Sequence, residues 1–171
     1  MKTNNNLLIC LTIMASSLYS QKPDSLKPSK VDYDAFIGLT EEVNAYRKQR
    51  LLTFNDFLNH MNDEDAILLD TRSKEAYLKK HIKGAVHLNF SDFTDKKLAE
   101  VIPSKHTKIL IYCNNNIDGD EINFATKKIS LALNIPTFIN LYGYGYKNIY
   151  ELASLIPLSF IELEFEGTSV Q

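Results

Sequence analysis

Cysteine is scarce in this sequence: only Cys10 and Cys113 occur in 171 residues. Glycine (6) and proline (5) are sparse as well, which excludes a low-complexity chain and, with 44% hydrophobic residues, points to one compact domain with its own core. Charge of one sign is also missing. A formal net charge of -2 and mixed signs along the chain provide no basic field for a phosphate backbone, so nucleic acid is not an expected partner. Long apolar runs are absent too: Leu7 to Ala15 is too short to span a bilayer as a helix. With Lys2 before it and Ala15, Ser16, Ser17 and Ser20 after it, that run reads as a signal peptide over residues 1–20, cut near Ser20 and Gln21. A periplasmic or secreted protein without a membrane span is expected once it is removed. A lipid anchor through Cys10 fits less well, because Ile9 stands where a small residue belongs.

Removal of the signal takes Cys10 with it and leaves Cys113 alone. A solitary thiol in an exported chain has no internal disulfide partner, so it is buried and inert, pairs with another protein, or works chemically. Its neighbourhood bears on the choice. Residues 21–50 read as a polar, Pro-containing linker followed by a helical extension, starting at Thr40 with Glu41 and Glu42 in its first turn and Arg47, Lys48 and Arg50 in its last. Thr53, with Asp56 three residues on, predicts a second helix start, and Phe54, Phe57, Leu58 and Met61 form its core stripe.

Ala66 to Asp70 (AILLD) and Lys108 to Cys113 (KILIYC) are short apolar runs of the kind that form strands buried on both faces. A strand at Ala85–Leu88 and helical stretches at about Ser73–Lys80 and Phe93–Val101 fall between them. Beyond Cys113, the positions Ile122, Ala125, Ile129, Ala132 and Leu133 share one face of a helix starting near Glu121, and Thr137 to Leu141 (TFINL) is predicted as a strand. The alternation predicts an α/β fold: a parallel sheet with helices on both faces and an extra N-terminal helix. In such sheets ligands bind beyond the carboxyl ends of the strands, where Cys113 lies. A helix N-terminus close by would favour its thiolate.

The segment Asp70-Thr71-Arg72, then Glu75, then Tyr77 through His81, Ile82, Gly84 and Ala85 resembles the amino-terminal signature of rhodanese-like domains. The later order agrees: a strand ending in Tyr112-Cys113, then the glycine-bearing turn Leu141 to Tyr146 ahead of a last helix. The resemblance covers roughly residues 51–156 and implies a domain over 51–160, with 161–171 as a C-terminal tail. It implies that Cys113 takes sulfane sulfur from a donor, holds it as a persulfide and passes it to a nucleophile, without a bound cofactor. A small sulfur-containing substrate or a partner thiol protein is the implied partner.

The loop after the cysteine departs from the family pattern. Active members carry a tight loop with a glycine and an arginine, whereas this chain reads Cys113-Asn114-Asn115-Asn116-Ile117-Asp118-Gly119-Asp120-Glu121 and has no Lys or Arg until Lys127. Backbone amides of residues 114–121 are expected to stabilise the sulfur anion, and the Asn side chains to donate to substrate without charge. A dianion such as thiosulfate is expected to meet Asp118, Asp120 and Glu121 in place of a cationic clamp. Acidic neighbours raise a thiol pKa and a helix terminus lowers it, and the sequence leaves their balance open.

Asn114, Asn116, Asp118, Gly119 and Asp120 also echo the first half of a calcium loop, but Ala125 stands where the closing glutamate belongs, and no metal is expected. Asp70, Arg72 and Glu75 are read as a structural network, His81 as the brace of a turn, and Tyr142 and Tyr144 as either a pocket wall or a packed turn. Two functions stay open: sulfur relay or thiol redox chemistry at Cys113, and a catalytically silent binding module that uses the 114–121 loop.

Overall fold

The structure is a computed structural model that describes residues 26–160 and 162–170. The proposed signal at 1–20 lies outside the described residues. Residues 26–31 fall in the first of two units and carry no helix or strand, and Asp32–Gln171 form the second, a compact one.

That unit opens with helix α1 (Tyr33–Arg47), capped by the Asp32 side chain, which accepts from the Ala35 N–H. The start lies seven residues before Thr40, because Asp32 followed by Asp34 is itself a start signal. Strand β1 (Leu51–Leu52) leads into α2 (Phe54–Met61), whose N-cap is Thr53 as read from the sequence. Then come β2 (Ala66–Asp70), α3 (Lys74–Lys79), β3 (His81–Ile82), β4 (Val86–His87), α4 (Asp95–Val101) and β5 (Lys108–Tyr112). The remainder is β6 (Ile117–Asp118), α5 (Asn134–Gly143), β7 (Ile149–Leu152), β8 (Ile156–Pro157) and β9 (Phe165–Glu166).

The five-stranded sheet is parallel throughout, in the order β1-β7-β5-β2-β4, with helices on both faces. Period-two alternation in β5 feeds both layers. Ile109 and Ile111 enter one core with Val43 of α1 and Phe138, Ile139 and Leu141 of α5, while Leu110 and Tyr112 enter the other with Phe57 of α2.

Four elements differ from the sequence expectation. No α-helix forms between residues 119 and 133, which run through turns and a short 3-10 segment at Ile129–Leu131. The TFINL stretch is helical, inside α5, and not a strand. The glycine turn leads into strand β7, not into a last helix. Finally, the described residues 162–170 are not simply a tail: β9 pairs antiparallel with β3, and Leu163 is buried.

Helix α5 ends in a Schellman motif, in which the Tyr146 N–H donates to Leu141 O (3.0 Å) and the Gly145 N–H to Tyr142 O (2.9 Å). Gly145 has φ +86°, a left-handed conformation that side-chain-bearing residues resist, so glycine at this position stops the helix and turns the chain into β7.

Candidate active site

Cys113 follows β5, the central strand, in extended conformation (φ -147°). It continues the alternation of Ile109 and Ile111 and so faces the layer of α1 and α5. There it lines a cavity of about 920 Å³ with residues from α1 (Val43, Arg47), α5 (Asn134, Phe138) and β7 (Glu151). Ile111 and Glu151 are register partners on adjacent strands, which brings the Glu151 carboxylate to the same face as the thiol. Cys113 itself is only 1% exposed.

The polar groups around the thiol form one network. The Cys113 N–H donates to Asn116 Oδ1 (2.9 Å), and Asn134 Nδ2 donates to the same oxygen (3.0 Å) and to Glu151 Oε1 (3.2 Å). Glu151 accepts from Arg47 through both Nε and Nη2, the latter at 2.8 Å, so a cation from the N-terminal helix closes the site. Asn116 Nδ2 donates to Leu152 O (2.8 Å) and Ser154 O (3.2 Å), tying the ends of β5 and β7 together.

Burial pushes the Cys113 thiol pKa up, and the Glu151 carboxylate adds to this. The backbone amides of Asn134, Asn115 and Leu133 pull it down without reversing it. The balance left open by the sequence therefore falls on the side of the neutral thiol. The expected thiolate-promoting helix near Glu121 does not exist, and the start of α5 supplies only partial compensation. Because the thiol pKa is raised in the folded state, the folded chain holds this proton more tightly than the unfolded chain. The resulting contribution to stability is complete below the usual thiol range and is lost as pH rises through the folded value. Native Cys113 is therefore expected to react with iodoacetamide at neutral pH more slowly than a free thiol, with an inflection above the usual thiol range. A rate–pH profile followed by mass spectrometry measures both. A fast reaction at neutral pH would contradict the burial argument.

The loop residues do other work than expected. Asn114 Nδ2 donates to Ala125 O (2.9 Å) and Asn115 Nδ2 to Lys127 O (2.7 Å), while the Lys127 N–H returns a bond to Asn115 Oδ1 (3.0 Å). With Asn116 engaged as described, these side-chain donors hold the loop together and are not free for substrate. Ile117 is buried and β6 pairs with β8, so this part of the loop is built into the fold. Of the three acids expected to confront a dianion, only Asp118 lines the cavity.

Asp120 bonds Lys80 Nζ (2.9 Å) and Asn123 instead, and Glu121 is exposed away from the cavity. Burial raises the Asp120 pKa, but the bonds from Asn123 and Lys80 outweigh it and hold this carboxyl below its usual range. The calcium-loop echo dissolves for the same reason, since Asp120 and Asn116 are committed to different partners. Gly119, at φ +89°, makes the turn between β6 and Asp120.

Asp70 and Arg72 are buried and paired (Nη2 to Oδ2, 2.7 Å), and the Tyr112 hydroxyl donates to Asp70 Oδ2 (2.6 Å). Arg72 also donates to Asn123 O (3.1 Å) and Lys80 O (2.6 Å), fastening the long loop to the sheet. Glu75 is not part of this network: it is exposed and pairs with Lys79. His81 Nδ1 bonds Tyr77 O (2.7 Å) and its ring stacks on Tyr77, whose hydroxyl donates to Ala85 O (2.8 Å). Gly84, at φ +81°, allows the turn from β3 to β4.

Tyr142 and Tyr144 do not line the Cys113 cavity. The Tyr142 hydroxyl bonds Glu42 of α1 and the Tyr144 hydroxyl bonds Phe93 O, so both pack the helical layer. Arg47, Leu133, Asn134 and Glu151 are the site residues that sequence reasoning missed. One signal was available: Pro136 in the first turn of α5 marks a helix start immediately after Leu133.

A central parallel strand that delivers a cysteine to a cavity under a helix N-terminus defines the class of this protein. Residues 53–154 match the family described as Rhodanese-like domain, and the chain belongs to that family. It is 25% identical over 112 residues to a protein named tRNA sulfurtransferase from Thermoplasma volcanium, covering 66% of this chain and 22% of that protein. It is 29% identical over 87 residues to an uncharacterized protein of Buchnera aphidicola, covering 51% of this chain and 56% of the other. The chain thus spans less than two thirds of either relative. Among solved structures, the BH2092 protein from Bacillus halodurans superposes with a TM-score of 0.48 at 19% identity, covering 75% of this chain and 86% of that one.

Proposed function

We propose that this protein is an exported sulfur-relay protein in which Cys113 accepts a sulfane sulfur as a persulfide and passes it to a nucleophilic acceptor. The observation that carries the reading is the cavity at the carboxyl end of β5, which Cys113 lines beside Asn115 and Asn134, whose backbone amides favour the anionic sulfur. Covalent sulfur transfer requires a nucleophile and fixed donors for the anionic sulfur, and such amides are preorganised donors. Family membership and the sulfurtransferase name of the Thermoplasma relative support the same kind of chemistry. Export rests on the sequence of residues 1–20.

A raised thiol pKa makes the resting state a protonated thiol, so deprotonation accompanies attack on the donor. Cys113→Ser is expected to abolish sulfur loading while leaving the thermal midpoint nearly unchanged. Mass spectrometry after incubation with a persulfide donor should show one added sulfur on the natural chain and none on the variant. Secretion is tested by fractionating cells that express the full chain and finding the protein outside the cytoplasm with its N-terminus near Gln21.

The 1% exposure of Cys113 favours one alternative, a binding module whose cysteine is a core residue. Equal thiosulfate and cyanide turnover by both forms, together with no sulfur loading, would establish that alternative and end the relay reading. A mixed disulfide with another protein, without added sulfur, would indicate redox pairing.

A further inference from the structure

The charges lining the Cys113 cavity do not balance. Three carboxylates line it, those of Glu41, Asp118 and Glu151, and one guanidinium, that of Arg47, which Glu151 already holds in its two-bond pair. Glu41 and Asp118 form no ion pair among the described residues. A buried acceptor is also free: Asn134 donates both its side-chain bonds to Asn116 and Glu151, which fixes the amide orientation and leaves Oδ1 without a donor. Much of the remaining lining is apolar, including Val43, Ile135, Phe138, Ile139, Leu152 and Leu155. The volume of about 920 Å³ is of the size that holds a small organic molecule. Cys113, only 1% exposed, lines this cavity and is not presented on a flat surface.

Resting on the sulfur-relay reading above, we propose that the donor is a small organic persulfide with an apolar body and a cationic amine, and not an inorganic sulfur anion. The amine answers the uncompensated carboxylates, the carbon skeleton packs on the apolar wall, and the sulfane sulfur reaches Cys113. In the transfer, Cys113 gives its proton to solvent and its thiolate attacks the outer sulfur of R–S–SH. The donor S–S bond breaks as the new Cys113 S–S bond forms, and RS⁻ leaves and takes up a proton. The sulfane sulfur keeps its oxidation state, so no external oxidant or reductant is needed. An anionic donor meets repulsion from Glu41 and Asp118, which solvent moderates because both lie at the exposed rim of the cavity.

The test uses the full mature chain and persulfides of cysteamine (cationic), 2-mercaptoethanol (neutral) and mercaptoacetate (anionic). Loading of Cys113 is followed by mass spectrometry, and each rate is divided by that of the same donor with a small neutral thiol. The cationic donor is expected to load at least about tenfold faster than the anionic one, with the neutral donor between them. Asp118→Asn and Glu41→Gln, both at exposed positions, should each shrink that ratio by a factor of about three. Equal rates, or faster loading by the anion, overturn the substrate assignment and leave the relay intact. No loading from any donor by a chain with native circular dichroism overturns the relay and the substrate assignment with it.

Discussion

Arg72→Met is expected to destabilise the domain by about 3–5 kcal/mol, read as a lower denaturant midpoint at unchanged slope. Asp70 is 0% exposed and sits at the end of β2, where its carboxylate accepts from the Arg72 backbone N–H (3.0 Å), from Nε (3.0 Å) and from Nη2 (2.7 Å). Removing the guanidinium leaves a buried charge with only the Tyr112 hydroxyl and one amide. Tyr112 remains a donor, because burial and the adjacent Asp70 push its pKa well above the usual phenol range. The same substitution frees Asn123 O and Lys80 O and removes the cation lying 4.5 Å from the Phe124 ring centroid, so the 114–133 loop loosens as well. Adding Asp70→Leu should recover most of the loss, since an uncompensated charge costs more than an apolar pair. A single-variant loss below about 1 kcal/mol would show that the pair is not what joins the loop to the sheet.

Arg47→Met should lower stability by about 2–3 kcal/mol and speed labelling of Cys113 severalfold. Glu151 is 5% exposed and depends on Arg47 for its cation, while the Arg47 side chain is 33% exposed, so solvent offsets part of the loss. Helix α1 is otherwise held by Val43 in the core, by Tyr142 to Glu42, and by the Tyr46 hydroxyl to Lys147 O (2.7 Å). Loosening its C-terminal turn opens the wall of the cavity next to the thiol. Glu151→Gln keeps a neutral acceptor for both partners and should cost only about 1 kcal/mol. Denaturant titration combined with a labelling time course measures both effects. An Arg47→Met protein with unchanged labelling would place α1 outside the site.

Local physics was legible along the chain wherever it acts alone. The apolar runs AILLD and KILIY form β2 and β5, and Thr53 caps α2. The stretch from Glu121 to Leu133 was misleading, because its apolar positions recur at helical spacing, yet Ile122 and Ile129 are 89% and 88% exposed. Periodicity predicts a helix only if the apolar face finds a layer to cover. Here Arg72, Lys80 and the Asn114 and Asn115 side chains bind this stretch in another shape. TFINL has the β-branched and aromatic composition of a strand, but Pro136 starts a helix whose Phe138, Ile139, Leu141 and Tyr142 join the core.

The amino-acid sequence alone determined the class of fold, the family signature from Asp70 to Ala85, and Cys113 at the end of the central strand. Each is written in neighbouring residues through capping, alternation and turn geometry. Tertiary structure decided the character of the site, because Arg47, Cys113, Asn134 and Glu151 meet only after separate stretches of chain have crossed the sheet. The ionic and hydrogen-bonded pairs they form depend on which side chains are buried together. That burial tips toward the neutral thiol a balance that the sequence left open.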